Sequence, residues 1–212
     1  MKYIISMAVA MGVAFTLTWL FGTNNEQIRN ENKTSENKTE KAEQPAQAME
    51  TKTENADVAD DGIITAPLSG KAVKLENVPD QTFAQGILGL GAAIEPTEGK
   101  VVAPGDGKVE TLFDTFHAIG LTLDNGKELL IHVGINTVEL KGEGFKAYVS
   151  EGDRVTKGQT LITFDTDFIK SKGYQTITPV LVGNSDEFAS VEELAEEGTE
   201  VTIGDKLIKV NA

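Results

Sequence analysis

The sequence predicts an all-β fold over residues 62–212, an antiparallel β-sandwich or small barrel with internal duplication. Three observations carry that prediction. Short β-branched and apolar runs alternate with Gly- and Pro-containing turns at close spacing, the pattern of sandwiches and barrels. Two segments recur within the same region. Helix signals are scarce.

The first recurrence is residues 66–71 (APLSGK) and 103–108 (APGDGK), each followed by a strand with alternate apolar positions, Ala72 and Leu75, then Val109 and Leu112. The second is residues 151–164 (EGDRVTKGQTLITF) and 197–210 (EGTEVTIGDKLIKV), in which seven of fourteen positions are identical. Gly152, Gly158, Gly198 and Gly204 recur at matching places and fit turns that need positive φ. Each half is too small to bury a core alone, so the repeats express the pseudo-symmetry of one domain. For helices, Ser190 to Glu193 has the spacing of a capping box and predicts a short helix ending before Gly198. A further turn is expected from Phe168 to Lys172.

Three regions differ in composition. Residues 1–25 include twenty consecutive uncharged positions, 3–22, long enough as a helix to cross about 30 Å of hydrocarbon, with Trp19 placed for the interface. A cleaved signal peptide is the rival, but its positive region would be Lys2 alone and no small-x-small site follows. Arg29, Lys33, Lys38 and Lys41 follow the segment, which puts the downstream domain on the cytoplasmic side, tethered to the inner face of the plasma membrane. Residues 26–61 read as a disordered acidic linker, with a five-residue polar repeat over 31–40 (ENKTSENKTE). Residues 62–212 hold the Val, Ile, Leu and Phe that can bury a core.

The net charge is −14. The linker's ten acids and five bases contribute −5 and Lys2 contributes +1, which leaves −10 on the domain. Nucleic acid is therefore excluded as a partner, since its phosphates are met by Lys and Arg. Small molecules or protein partners remain. There is no cysteine, which removes thiol chemistry and cysteine-ligated metal.

Chemistry near neutral pH then falls to imidazole. The chain has two histidines, His117 and His132, in segments that both read as strands. Thr115 is placed two residues before His117, on the same strand face. Gly120 and Gly134 would let a partner come close.

These residues carry a resemblance. The strings TAPLSG (65–70), PDQTF (79–83), VAP (102–104), TFHA (115–118) and above all IHVGINTVELKGEGF (131–145) are similar to the glucose-type enzyme IIA domain of the bacterial phosphoenolpyruvate-dependent sugar phosphotransferase system, over nearly all of 62–212. The resemblance implies a β-sandwich on a duplicated hybrid motif. It implies that His132 accepts a phosphoryl group from the histidine-containing phosphocarrier protein and passes it to an enzyme IIB during sugar uptake. His117 would donate a hydrogen bond to the phosphoryl oxygens, and Thr115 would fix an imidazole tautomer or bind phosphate. With a phosphohistidine as donor, no metal or other cofactor is called for.

The same resemblance implies a docking face made by Phe83, Ile87, Leu88, Phe113, Phe116 and Val138, with Asp80 as a rim acid. Asn136 and Leu90 depart from the family pattern, which often has Asp at each. Residues 15–22 (FTLTWLFG) resemble the last membrane helix of a β-glucoside or sucrose-type enzyme IIC. Other classes fit less well. A biotinyl or lipoyl carrier needs a lysine where this chain has residues 164–167 (FDTD), and a catalytic zinc site needs three protein ligands. A regulatory binding module that keeps the site without its transporter is the remaining alternative.

Overall fold

The computed structural model describes residues 61–212. The membrane helix expected over 3–22 and all but the last residue of the linker lie outside the described residues. Among the described residues, no helix is long and apolar enough to cross a membrane.

The strands are β1 (Ile63–Thr65), β2 (Gly70–Val73), β3 (Leu90–Pro96), β4 (Lys100–Val102), β5 (Gly107–Leu112), β6 (Ala118–Leu123) and β7 (Glu128–His132) in the first half. The second half adds β8 (Phe145–Ala147), β9 (Arg154–Val155), β10 (Thr160–Phe164), β11 (Thr178–Val182), β12 (Ser190–Glu193), β13 (Glu200–Val201) and β14 (Lys206–Asn211). Two short α-helices, α1 (Gln81–Ala84) and α2 (Thr166–Ser171), are each capped by an aspartate, Asp80 and Asp165.

All strand pairs are antiparallel. Eight strands form one sheet in the order β13-β2-β3-β11-β7-β6-β5-β9, and two three-stranded sheets, β1-β14-β12 and β4-β10-β8, pack on it. One core joins all three: Ile94, Ile119, Leu121, Ile131 and Val180 of the large sheet meet Ile64, Leu207 and Ile208 of one small sheet and Val101, Leu161 and Ile162 of the other. This is the sandwich expected from the alternating pattern.

The duplication is visible in the hydrogen bonds. Ala66 N donates to Asp205 O and Gly204 N to Ala66 O; thirty-odd residues on, Ala103 N donates to Gln159 O and Gly158 N to Ala103 O. Likewise Ala72 N pairs with Thr199 O and Gly198 N with Ala72 O, as Val109 N pairs with Asp153 O and Gly152 N with Val109 O. The repeated glycines are the left-handed corners of these turns, with φ from 80° to 96°. The repeat is therefore a repeated corner, where an alanine or valine strand residue is clamped on both sides by a glycine turn.

One helix expectation is corrected. Residues 190–193 form β12, paired to β14 from Ser190↔Asn211 to Glu193↔Ile208. The capping groups are used elsewhere: Glu193 Oε1 accepts from Leu75 N at 2.8 Å, and Ser190 Oγ donates to Glu192 Oε1 at 3.0 Å. An open edge on β14 outweighs the local capping preference. The turn expected near 168–172 is α2.

β11 is buried on both faces. Its second face is covered by a smaller cluster in which Leu75, Val78 and Phe83 pack on Ala93, Ile135 and Leu181. That cover is what brings α1 beside the end of β7, where the histidines lie.

Candidate functional site

His132 is the last residue of β7 and His117 immediately precedes β6. The β6–β7 ladder pairs Ala118 with His132, and Val133 N donates to His117 O at 2.7 Å. The two imidazoles are thus neighbours across the open end of one hairpin. Their ring centroids are 4.9 Å apart, edge to face at 81°. Phe83 stands 5.0 Å from the His132 ring and Phe113 stands 5.3 Å from the His117 ring, so each imidazole has an aromatic wall.

The hydrogen bonds decide which nitrogen can react. His132 Nδ1 is 2.8 Å from the Gly134 carbonyl oxygen. A carbonyl only accepts, so Nδ1 carries the proton and Nε2 keeps its lone pair in the neutral ring. His117 Nδ1 is 2.5 Å from Thr115 Oγ1. When that hydroxyl donates, Nε2 of His117 carries the proton and becomes a donor.

Both rings favour the neutral state. His117, 5% exposed, is lowered to a pKa of about 4 by burial and, secondarily, by the neighbouring His132. His132 is half-buried and also lowered by burial; the Gly134 hydrogen bond and the negative charge of Asp80 oppose that shift without cancelling it. At neutral pH both imidazoles are uncharged.

The loop after β7 fixes this arrangement. Gly134 has φ of 74°, and a Cβ there would lie 2.5 Å from Thr137 Cγ2 and 2.6 Å from Gln175 O. Thr137 is fully buried and its hydroxyl donates to Val133 O at 2.5 Å, while Ile135 N donates to Gln175 O at 3.0 Å. Gly134 is thus required by close internal packing, where the sequence suggested room for a partner. Gly120 has only ordinary contacts, its nearest being Thr111 Cβ at 3.6 Å. Asn136 is left-handed, φ 59°, a conformation that Asn and Asp both tolerate, so its departure from the family pattern leaves the loop intact.

Thr115 reaches His117 as expected, but from the turn between β5 and β6 and not from a strand face. The turn includes Phe116 at φ 55°, half-buried. Of the residues expected to form a docking face, Ile87 (66% exposed), Leu88, Phe113 and Val138 are exposed, and Phe113 lies beside the His117 ring. Phe83 is not: at 6% exposure it is a core residue and a wall for His132. Leu90, set aside as a departure, is exposed with them. Asp80 caps α1, its Oδ1 accepting from Thr82 N at 2.8 Å and Phe83 N at 3.4 Å. The Gly134 carbonyl and Thr137 went unnoticed in the sequence, where the only signal was the glycine itself. Among the described residues, no group of three or more His, Cys, Asp or Glu side chains is placed to hold a metal ion.

A duplicated β-sandwich with two facing imidazoles at the end of one hairpin is the arrangement of a phosphotransferase-system IIA domain. The model of the family described as "phosphoenolpyruvate-dependent sugar phosphotransferase system, EIIA 1" matches residues 62–188, and the chain belongs to that family. It is 48% identical over 135 residues to the PTS system glucose-specific EIIA component of Staphylococcus aureus (strain Mu50), covering 64% of this chain and 81% of that protein. It is 49% identical over 137 residues to the component of the same name from Halalkalibacterium halodurans, covering 65% and 79%. A solved structure, glucose permease IIA from Mycoplasma capricolum, superposes with a TM-score of 0.61 at 32% identity, over 69% of this chain and 93% of that one. The chain is accordingly a phosphohistidine carrier and phosphotransferase component of a sugar phosphotransferase system.

Proposed function

We propose that Nε2 of His132 takes the phosphoryl group from the histidine-containing phosphocarrier protein and hands it to an enzyme IIB. The observation that carries this reading is the His132 Nδ1 to Gly134 carbonyl bond, which puts the proton on Nδ1 and leaves the lone pair on Nε2. In the forward step that lone pair forms a new N–P bond as the donor's N–P bond breaks. The bonding pair leaves on the donor's ring nitrogen, and the Nδ1 proton stays on His132 against the carbonyl.

Transfer of this kind asks for positioning and charge stabilisation more than for acid–base chemistry. His117 supplies the stabilisation: with Thr115 donating to its Nδ1, its Nε2–H faces the incoming phosphoryl oxygens. The exposed apolar residues Ile87, Leu88, Leu90, Phe113 and Val138 form the surface on which both partner proteins dock in turn, and Asp80 lends it negative charge. The regulatory-module alternative is not favoured, because the relatives are named as glucose-specific EIIA components of the phosphotransferase system.

Phosphoenolpyruvate and the general energy-coupling proteins should add one phosphoryl mass to the full chain. His132→Ala should abolish the gain. His117→Gln should still accept the group but deliver it slowly to enzyme IIB. Phosphorylation of His132→Ala at the normal rate would overturn the proposal.

A further inference from the structure

The strand beside the histidine loop is out of step with it by one residue. β11 pairs with β7 in unbroken register from Val182↔Leu129 to Val180↔Ile131, and the two chains meet once more at Gln175 and Ile135. The chain advances four residues from Ile131 to Ile135 but five from Gln175 to Val180. The extra residue on the β11 side makes this a bulge, an irregularity that bends a strand and re-aims what it carries, and that recurs beside active sites.

What this bulge carries is the Gln175 carbonyl. It accepts from Ile135 N at 3.0 Å and leaves no room for a Cβ on Gly134, which would lie 2.6 Å away. Gly134 in turn presents its own carbonyl to His132 Nδ1 at 2.8 Å. The place of Gln175 therefore sets the place of the group that fixes the His132 tautomer.

Gln175 is exposed, so burial of its side chain does not hold it. Its neighbour does. Thr176 is buried and donates its hydroxyl to Glu95 Oε1 at 2.6 Å, while Thr178, also buried, donates to the Thr176 carbonyl at 2.9 Å. Glu95 stands on β3 one residue past Ile94, whose pair with Thr178 ends the β3–β11 ladder. It thus reaches beyond the regular pairing to grip the bulge. A hydroxyl donating to a carboxylate is among the stronger hydrogen bonds. Lys170 of α2 lies 3.6 Å from the same oxygen, but both side chains are well exposed and such a pair adds little.

We propose that Glu95 is a positioning residue for phosphoryl transfer. Through Thr176 it holds Gln175, and through Gln175 the Gly134 carbonyl, where the proton stays on His132 Nδ1 and the lone pair on Nε2. The effect reaches the ring through two backbone carbonyls. This role rests on Nε2 of His132 as the phosphoryl acceptor.

Nitrogen-15 shifts of His132 and steady-state phosphorylation by the phosphocarrier protein, both on the full chain, test it. Glu95→Ala leaves the buried Thr176 hydroxyl without its acceptor. The share of His132 protonated on Nδ1 should drop. The maximal phosphorylation rate should fall about fivefold, the scale on which changes within a packed network alter coupling, with the half-saturating phosphocarrier concentration unchanged. Thr176→Val keeps the volume, removes the hydroxyl and should do the same, which supplies the test should Glu95→Ala fail to fold. Glu95→Gln keeps an oxygen acceptor and should restore the tautomer and most of the rate. Lost stability in Glu95→Ala and Thr176→Val with tautomer and rate unchanged would overturn the positioning role, as would a Glu95→Gln protein as impaired as Glu95→Ala. In the unaltered protein, His132 protonated on Nε2, or phosphate on another residue, would overturn the carrier reading and this role with it; an unchanged tautomer in the variants rejects the role alone.

Discussion

Gly134→Ala would test how the nucleophile is oriented. The substitution asks an alanine to hold φ of 74°, a left-handed conformation that costs an L-residue about 1–2 kcal/mol. Its Cβ would sit 2.5 Å from Thr137 Cγ2 and 2.6 Å from Gln175 O, against a limit near 3.0 Å for real contacts. Neither neighbour is free to yield. Thr137 is fully buried with its hydroxyl tied to Val133 O, and Gln175 O is backbone that accepts from Ile135 N. Overpacking of this kind costs about 1–3 kcal/mol, so the unfolding free energy should fall by about 2–5 kcal/mol in all. The loop is the softer partner, so the Gly134 carbonyl should shift off His132 Nδ1. The tautomer preference then weakens, and phosphorylation should slow by about tenfold, the equivalent of about 1.4 kcal/mol. Denaturant unfolding gives the first number, and nitrogen-15 chemical shifts of His132 give the tautomer. An unchanged midpoint with Nδ1 still fully protonated would refute the reasoning. A loss of stability with an unchanged tautomer would leave the packing argument standing and reject the orienting role.

The remaining predictions concern charge, capping and docking. Because His117 titrates at about 4 in the folded protein and near 6.5 unfolded, the unfolded chain binds more protons between those values. Stability is therefore fully present above about pH 6.5 and lost as pH falls towards 4, by about 3 kcal/mol; His117→Gln should flatten that part of a stability–pH profile. Asp80→Asn keeps a good helix cap but removes the charge, so the His132 pKa should fall further with little loss of stability. Asp80→Ala should also cost about 1 kcal/mol in unfolding measurements. Thr115→Val leaves a buried ring nitrogen without its partner, which should cost about 1–3 kcal/mol and show as an altered His117 titration by NMR. Leu88→Asp should slow transfer from the phosphocarrier protein with stability unchanged to within about 0.5 kcal/mol, whereas Phe83→Asp should unfold the domain. Equal stability of those two variants would contradict the division between docking face and core.

What could be read in the sequence was whatever repeats or is rare. The corners at Gly152, Gly158, Gly198 and Gly204 demand the same residues wherever they occur, so the duplication is written twice in the chain. Two histidines in 212 residues draw the eye, and hairpin pairing of adjacent strands brought them together. Phe83 was harder. It lies in a four-residue helix, too short for periodicity to assign a face, and its burial depends on Leu75, Ile135 and Leu181 from distant segments. Ser190 to Glu193 carried a local helix signal that the free edge of β14 overrode. The carbonyl that orients His132 belongs to the backbone, and side-chain identity does not report where a backbone oxygen points. Thr115 was given the right partner from the wrong geometry, since a left-handed Phe116 bends the chain between them.

The central claim concerns one atom, the ring nitrogen of His132 that bears the phosphoryl group. Phosphorylate nitrogen-15-labelled protein through phosphoenolpyruvate and the coupling proteins, and measure which ring nitrogen couples to phosphorus. The predicted result is coupling to Nε2 of His132 with Nδ1 still protonated. Coupling to Nδ1, or a phosphoryl group on any residue other than His132, would contradict it.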